Sequence, residues 1–327
     1  MRVSPNCYFP YVGRNSRHFN SVTLDVATSK KIKSSNTKIG IMRLLTKLLL
    51  CIFLLTLAAL PGRAATLFKD PQFKVKVVRN LQYGAGEVRQ PSPARRALFL
   101  DVYQPDAPDR SWKRPVMIAI HGGGFLFGDK SEMTNLCREL AARGYVCVSI
   151  NYRLVPDDPP GVAQDQYTRA VMAAVADANH AAQWLEQNAA KYNVDAGRLF
   201  IGGSSAGAVT SMLLAYNPEI RAPHFRAVAD MWGTMGPRVS WLKKGGAPLL
   251  IIHGREDETI TVSAAEQIDA RARQIGLVHE TFLIDGMGHG VPLNLQVGGE
   301  TLLQHLVDFF YKQLTAEGRA GMAHAGL

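Results

Sequence analysis

Cysteine is scarce in this chain, which has four among 327 residues and only Cys137 and Cys147 beyond residue 64. So few cysteines exclude a small disulfide scaffold, and no Cys or His spacing matches a zinc site. Cys137 is expected on a helix that packs over the strand of Cys147. Because helix and sheet lie roughly 10 Å apart and bridged Cα atoms lie within about 7 Å, we predict two buried free thiols. No metal or other cofactor is predicted.

Excess positive charge is absent from most of the chain, although the formal net charge is +10. Residues 1–64 hold ten of the 37 Lys and Arg residues and one of the 27 acidic residues. Residues 65–327 therefore hold 27 basic and 26 acidic groups. Such a balance offers no basic surface to a polyanion, so we predict no nucleic-acid partner.

The apolar run at residues 48–60 is too short to cross a bilayer, which takes about 20 residues. Arg43 and Lys47 precede this run, and the small residues Gly62 and Ala64 follow it. A basic start, a short apolar stretch and small exit residues are typical of a secretory signal. We therefore predict cleavage near Ala64, a secreted or periplasmic protein, and no stable membrane partner after cleavage.

The domain organisation follows from this signal. Residues 42–64 are assigned to the signal peptide, because Met42 gives it an ordinary length. Residues 1–41 are interpreted as a disordered basic extension or as the result of a wrongly assigned start. Residues 65–327 are predicted to form one catalytic domain.

Internal repeats and a domain linker are also lacking after residue 64, where apolar runs alternate with helical patterns. Strands are predicted at residues 73–83, 97–103, 115–120, 145–150, 198–202, 225–231, 248–253 and 279–284. Helices are predicted at residues 132–143, 162–188, 206–216, 262–275 and 301–314, with a fraying tail after them. This alternation predicts an α/β fold with a mostly parallel central sheet and helices on both faces.

A candidate nucleophile lies in residues 203–207, Gly-Ser-Ser-Ala-Gly, which match the pattern G-x-S-x-G. The motif follows a predicted strand and opens a predicted helix, which is the context of a nucleophile elbow. Its small residues allow a strained turn that exposes the Ser205 hydroxyl, and the helix N-terminus favours developing negative charge. Ser204 is the alternative nucleophile, although its motif would end in Ala206.

A second motif, His-Gly-Gly-Gly at residues 121–124, follows another predicted strand and precedes Phe125. Successive glycines let backbone N–H groups point at one spot without obstruction. The N–H groups of Gly123, Gly124 and Ala206 are therefore predicted to form an oxyanion hole. No Gly-Lys-Ser/Thr follows, which disfavours a phosphate-binding loop.

These motifs resemble those of α/β-hydrolase-fold esterases with an HGGG oxyanion motif, which include bacterial carboxylesterases and acetyl or feruloyl esterases. The resemblance covers about residues 75–315. Its other matching segments are Gly128-Asp129, Asn-Tyr-Arg-Leu at residues 151–154, His253-Gly254 with Asp257, and Gly-His-Gly at residues 288–290. It implies the α/β-hydrolase fold with a minimal cap, and hydrolysis of carboxylic esters.

In that fold the catalytic residues follow the order serine, acid, histidine. His289 is the predicted base, because it lies in a glycine-rich loop after the last predicted strand. Asp257 is the predicted acid, since it follows the strand that ends in His253-Gly254. The flanking Glu256 and Glu258 remain alternatives, as does Asp230 at the end of the preceding strand.

Together these residues predict a secreted serine hydrolase that cleaves carboxylic esters through an acyl-enzyme. A serine peptidase or thioesterase on the same fold is the alternative, and a non-catalytic binding protein is disfavoured by the complete set of nucleophile, base and acid. The segment between residues 231 and 248 is too short for a lid domain. We therefore expect an open site, with Phe125 and Trp232 binding substrate.

An open site buries little of a long chain, so acyl groups of roughly two to four carbons or a hydroxycinnamoyl group are favoured. The expected partner is a small-molecule or polysaccharide-linked ester. The sequence does not indicate the oligomeric state.

Overall fold

The computed structural model describes residues 66–107 and 111–324, with side chains up to residue 315. The extension and signal predicted over residues 1–64 lie outside the described residues. Within the described part of the chain, no helix combines the length and apolar character needed to cross a membrane.

An eight-stranded sheet forms the centre of residues 66–315. Its strands are β1 (Val75–Val88), β2 (Ala94–Pro105), β3 (Arg114–Ile120), β4 (Val146–Ile150), β5 (Val194–Ser204), β6 (Phe225–Met231), β7 (Leu249–Gly254) and β8 (His279–Ile284). Their order is β1-β2-β4-β3-β5-β6-β7-β8. Strand β2 is antiparallel to both of its neighbours, and every other pair is parallel. The predicted mostly parallel sheet is confirmed.

Helices follow most of the parallel strands. They are α1 (Thr134–Ala142), α2 (Gln166–Gln187), α3 (Ala189–Tyr192), α4 (Ala206–Tyr216), α5 (Val262–Ile275) and α6 (Leu302–His324). Three 3-10 turns lie at Lys130–Met133, Val155–Asp157 and Gly236–Trp241, and a two-stranded ribbon pairs β9 (Gln296–Val297) with β10 (Glu300–Thr301). The connection between β6 and β7 contains only the 3-10 turn Gly236–Trp241, which agrees with the predicted minimal cap.

Two helix boundaries differ from the prediction by more than two residues. Helix α2 begins at Gln166 instead of residue 162, because the Asp165 carboxylate caps it by accepting a bond from the Thr168 N–H at 2.7 Å. The tail predicted to fray after residue 314 instead continues α6 to His324. Its Ala, Glu and Met residues favour a helix, and each glycine costs only about 1 kcal/mol.

Two apolar layers cover the sheet, one on each face. Strand β3 is buried throughout, and its side chains alternate between the layers. Val116, Ile118 and Ile120 pack in the layer beneath α2, α4 and α5, whereas Met117 and Ala119 pack in the layer beneath α1 and α6. This arrangement confirms helices on both faces of the sheet.

The two remaining cysteines meet between helix α1 and strand β4. Cys137 and Cys147 are both buried and free, as predicted, but their Sγ atoms lie 2.6 Å apart. The expectation that the helix-to-sheet spacing keeps them apart is therefore wrong, because both side chains point into the gap between the elements. Burial, followed by the hydrogen bond to Cys137, raises the pKa of the Cys147 thiol, which suppresses its nucleophilicity.

The topology brings distant segments to one edge of the sheet. Strands β3, β5, β7 and β8 run in the same direction, so the loops at their carboxyl ends lie side by side. These loops carry residues 121–124, Ser205, Asp257 and His289 respectively.

Candidate active site

Ser205 occupies a strained turn between β5 and α4. Its φ of 51° and ψ of −116° lie outside the conformations that non-glycine residues favour. The turn is held by the Ser205 N–H, which donates to the Met231 carbonyl at 2.9 Å. Gly207 lets the turn approach β3 closely, because a Cβ at this position would collide with the Ile120 carbonyl oxygen. The Ser205 hydroxyl therefore stands at the N-terminus of α4.

Ser205, His289 and Asp257 form a continuous chain of hydrogen bonds. The His289 Nε2 lies 2.9 Å from the Ser205 Oγ, and the His289 Nδ1 lies 2.8 Å from the Asp257 Oδ2. The other oxygen, Asp257 Oδ1, accepts the N–H groups of Thr259 and Ile260, each at 2.9 Å. Burial opposes ionisation of Asp257, but the bonds from Ile260, His289 and Thr259 outweigh it and lower the pKa of this carboxyl. An ionised Asp257 accepts the Nδ1 proton, which leaves Nε2 free to accept from the serine hydroxyl.

The other acids do not reach His289. Glu256 and Glu258 are exposed. Asp230 is fully buried, and its Oδ1 accepts the Gly233 N–H at 2.8 Å. Its Oδ2 has no hydrogen-bond partner among the described residues. Burial raises the pKa of Asp230 to about 7, against the lowering effect of the Gly233 bond.

This raised pKa makes Asp230 a source of pH-dependent stability. Between the ordinary value of 3.8 and the folded value of about 7, the folded state retains a proton that the unfolded state has released. Its contribution is therefore fully present below the ordinary value and is lost as the pH rises through 7. We expect Asp230→Asn to raise the melting temperature relative to the parent at pH 8, with the difference shrinking toward pH 5. Thermal melts across this range test the expectation, and a pH-independent difference would contradict it.

Three backbone N–H groups near Ser205 are unbonded. The N–H groups of Gly123, Gly124 and Ala206 donate to no described residue. Gly124, Ser205 and Ala206 line one cavity. Gly122, which precedes them in the loop, lies against Ser204 and Ser205. The two loops thus carry unbonded donors in the neighbourhood of Ser205, which is compatible with the predicted oxyanion hole.

Tyr152, which motif reasoning gave no role, orients this loop. Its ring stacks on His121 with 4.4 Å between the ring centroids, and its hydroxyl donates to the carbonyls of His121 and Gly122 at 3.0 and 3.1 Å. The His121 Nδ1 lies 2.8 Å from the same Gly122 carbonyl. A trans peptide directs its C=O and N–H oppositely, so these bonds fix the direction of the Gly123 N–H. Burial lowers the pKa of His121 and keeps its ring neutral.

His253 is a second residue for which the sequence predicted no individual role. It is buried at the end of β7, with its Nε2 2.8 Å from the Ile260 carbonyl and 3.2 Å from the Asp257 Oδ2. A carbonyl only accepts, so Nε2 carries the proton, and Nδ1 has no partner among the described residues. His253 therefore donates toward the carboxylate that contacts His289 and helps to fix its position.

A substitution at Gly123 tests whether the loop at residues 121–124 supplies the predicted oxyanion-hole donors. The φ of Gly123 is 95°, and a Cβ there would overlap the Phe127 carbonyl. We expect Gly123→Ala to lower kcat about 10²-fold or more, because the loop must shift and its donor moves with it. Gly245→Ala is the control, since Gly245 also has a positive φ of 77° but faces open space. Equal losses in both variants, measured by steady-state kinetics, would contradict the expectation.

Two cavities flank the nucleophile turn. One of about 340 Å³ lies beside Ser205, and the buried ring of Phe125 lines it together with Tyr167. The other, of about 540 Å³, is lined by Ser204 and Trp232. The two predicted substrate-binding residues therefore lie on different sides of the turn.

Comparisons with known proteins agree with this architecture. Residues 100–228 match the BD-FAE family model. The esterase LipI of Mycobacterium tuberculosis is 32% identical over 114 residues, which are 35% of this chain and 32% of that protein. The para-nitrobenzyl esterase of Bacillus subtilis is 27% identical over 185 residues, or 55% of this chain and 37% of that protein. The chain thus matches about a third of the length of these curated relatives.

Solved structures extend the likeness over most of the described chain. A thermophilic esterase of Thermogutta terrifontis, Est2, superposes with a TM-score of 0.57 at 21% identity, covering 76% of this chain and 94% of Est2. The protein has the α/β-hydrolase fold. The predicted fold class is confirmed, as is the resemblance to esterases of that fold.

Proposed function

We propose that this chain is a serine hydrolase that cleaves carboxylic esters through an acyl-enzyme. The observation that carries the proposal is the hydrogen-bonded series Ser205–His289–Asp257, which stands beside three unbonded N–H groups. Binding alone does not require a nucleophile, a base and an orienting acid at hydrogen-bond distance. The esterase names of the relatives support the same activity.

In the first half-reaction, the Ser205 Oγ attacks the ester carbonyl carbon while the His289 Nε2 takes the hydroxyl proton. The carbonyl oxygen becomes negative as the tetrahedral intermediate forms. The N–H groups of Gly123, Gly124 and Ala206 stabilise that charge, and a single such donor contributes roughly 3–4 kcal/mol in comparable enzymes. The protonated His289, paired with Asp257, then gives its proton to the leaving alcohol.

In the second half-reaction, water replaces the alcohol. His289 accepts a proton from the water, whose oxygen attacks the acyl carbon bound to Ser205. Collapse of the second intermediate returns the proton to the Ser205 oxygen and releases the carboxylic acid. The cycle consumes one water and restores the enzyme.

Short acyl groups or a hydroxycinnamoyl group are the proposed preference. The short connection between β6 and β7 supports it, because it provides no lid helix to bury a long chain. The Est2 neighbour has been solved with propionate bound and with butyrate bound. A polysaccharide-linked ester is proposed together with small-molecule esters.

Hydrolysis of an ester panel tests the function. The panel contains aryl acetate, butyrate, hydroxycinnamate and decanoate, together with a matched thioester and an amino-acid anilide. We expect the acetate, butyrate or hydroxycinnamate to give the highest kcat/KM, without a rate jump at the micelle threshold of the decanoate. A preference for the thioester or the anilide would move the protein to another reaction class. Labelling of Ser205 by a fluorophosphonate gives an independent readout.

Export is proposed from the sequence at residues 42–64. N-terminal sequencing of the protein from periplasm or culture fluid is expected to begin near residue 65. A full-length species confined to the membrane would instead indicate a retained anchor.

A further inference from the structure

Arg238, a positively charged residue, lines the cavity beside Ser205. It lies on the 3-10 turn Gly236–Trp241 and lines the same cavity as Ser205, Gly124 and Ala206. Its guanidinium carbon lies 5.6 Å from the centroid of the Trp241 ring. No described residue forms an ion pair or a side-chain hydrogen bond with Arg238, which is half-buried. The charge therefore lacks a counter-ion within the described protein.

The described residues that line the cavity carry no negative charge. The cavity beside Ser205 has no Asp or Glu among its described lining residues. A neighbouring cavity of about 320 Å³ shares Thr234 and Ile260 with it, and the described lining of that cavity is also free of acids. The exposed Glu256 and Glu258 line neither cavity. Of the titrating groups near Ser205, Asp257 is already paired with His289.

Helix α5 adds potential of the same sign. Its first residues, Ser263 and Ala264, line the second cavity, and its first turn carries no acidic residue. The N-terminus of a 14-residue helix bears a partial positive charge. Arg238, which lines the first cavity, and the start of α5, which lines the second, therefore both favour an anion in this region.

The position of His289 indicates which part of an ester enters this space. The leaving alcohol must depart beside the His289 Nε2, which gives it a proton. Pro292, Leu293 and Asn294, which follow His289 in the chain, line the cavity on the Trp232 side. None of the described residues after His289 lines the Arg238 side. The acyl group is thus assigned to the Arg238 side and the alcohol to the Trp232 side.

We propose that Arg238 selects acyl groups that end in a carboxylate, so that half-esters of dicarboxylic acids are preferred over neutral esters of the same acyl length and shape. A guanidinium binds a carboxylate through two parallel N–H···O bonds. A neutral, apolar chain end has no oxygen atoms that could accept these bonds. The proposal rests on the ester-hydrolase function proposed above and adds the acyl class that the site accepts.

The kinetic test compares two esters of the same leaving group and similar shape, the 4-nitrophenyl half-ester of adipic acid and 4-nitrophenyl 6-methylheptanoate. We expect the parent enzyme to favour the anionic ester. Arg238→Met should lower the ratio of the two kcat/KM values by about tenfold or more, as loss of a charge-assisted hydrogen bond does. Arg238→Lys should give an intermediate ratio, because it keeps the charge but loses the two-bond geometry. Arg238→Glu should reverse the preference.

Lys244→Met is the matched control, since Lys244 is an exposed cation of the same connection that lines neither cavity. It should leave the ratio unchanged, and melting curves confirm that each variant folds. If both esters are hydrolysed and the ratio of their kcat/KM values is the same in the parent and in the Arg238 variants, the inference is overturned. The ester-hydrolase proposal then remains intact.

A binding measurement distinguishes a failure of the Arg238 proposal from a failure of the ester-hydrolase proposal. Monomethyl adipate is titrated into Ser205→Ala and into Ser205→Ala with Arg238→Met by calorimetry. We expect at least about tenfold weaker binding in the second protein. Arg238-dependent binding without hydrolysis of any ester would contradict the proposed function and support the anion site. Equal binding by the two proteins would overturn the anion site.

Discussion

Ser205→Ala is expected to lower kcat for ester hydrolysis by about 10⁴-fold or more, because the nucleophile and its base act as one unit. The substitution removes the Oγ that lies 2.9 Å from the His289 Nε2 and leaves no other hydroxyl within reach of that nitrogen in the described contacts. Adding His289→Ala should then cost little more. Burst kinetics and fluorophosphonate labelling should both disappear with Ser205→Ala.

Ser204→Ala is the matched control, since it removes a neighbouring hydroxyl from the same turn. Ser204 lines the cavity on the Trp232 side and makes no hydrogen bond to His289. We expect it to retain the burst and to lose at most about tenfold in kcat/KM through altered packing. Turnover near the parent level in Ser205→Ala, with a loss in Ser204→Ala, would reassign the nucleophile.

The fold could be predicted where local patterns decide the structure. Strands β6 and β8 and helices α4 and α5 have the predicted bounds, because each is an apolar or amphipathic segment that ends at turn residues. The sequence did not reveal that β2 runs antiparallel between β1 and β4. Strand direction depends on long-range pairing, which the alternation of strands and helices does not encode.

Only part of the candidate site could likewise be predicted from local sequence patterns. Ser205, His289 and Asp257 could be found because each follows a strand at the carboxyl edge, and short motifs surround them. The individual roles of Tyr152 and His253 could not be predicted, since they depend on contacts with backbone carbonyls and on burial. The choice between Asp257 and Asp230 also required the tertiary structure, because both follow a buried strand.

Asp257→Asn is expected to lower kcat by about 10⁴-fold, the size of the effect in the serine protease triad, with little change in folding. The Asp257 Oδ1 is fixed by the N–H groups of Thr259 and Ile260, so the amide oxygen must take that place. The amide NH₂ then replaces Oδ2 and points a donor at the His289 Nδ1. This donor forces the proton of His289 onto Nε2, which can no longer accept from Ser205.

Asp230→Asn is the control for this prediction. Asp230 is a buried carboxyl at the end of the neighbouring strand, and its bonded oxygen faces Gly233 instead of His289. We expect near-parent kcat, together with the pH-dependent gain in stability that its raised pKa implies. The two substitutions make the same chemical change, so only contact with His289 distinguishes their effects on catalysis. A larger loss in Asp230→Asn than in Asp257→Asn would move the acid to β6 and would require a rearranged His289 loop, because His289 Nδ1 contacts Asp257 in the present geometry.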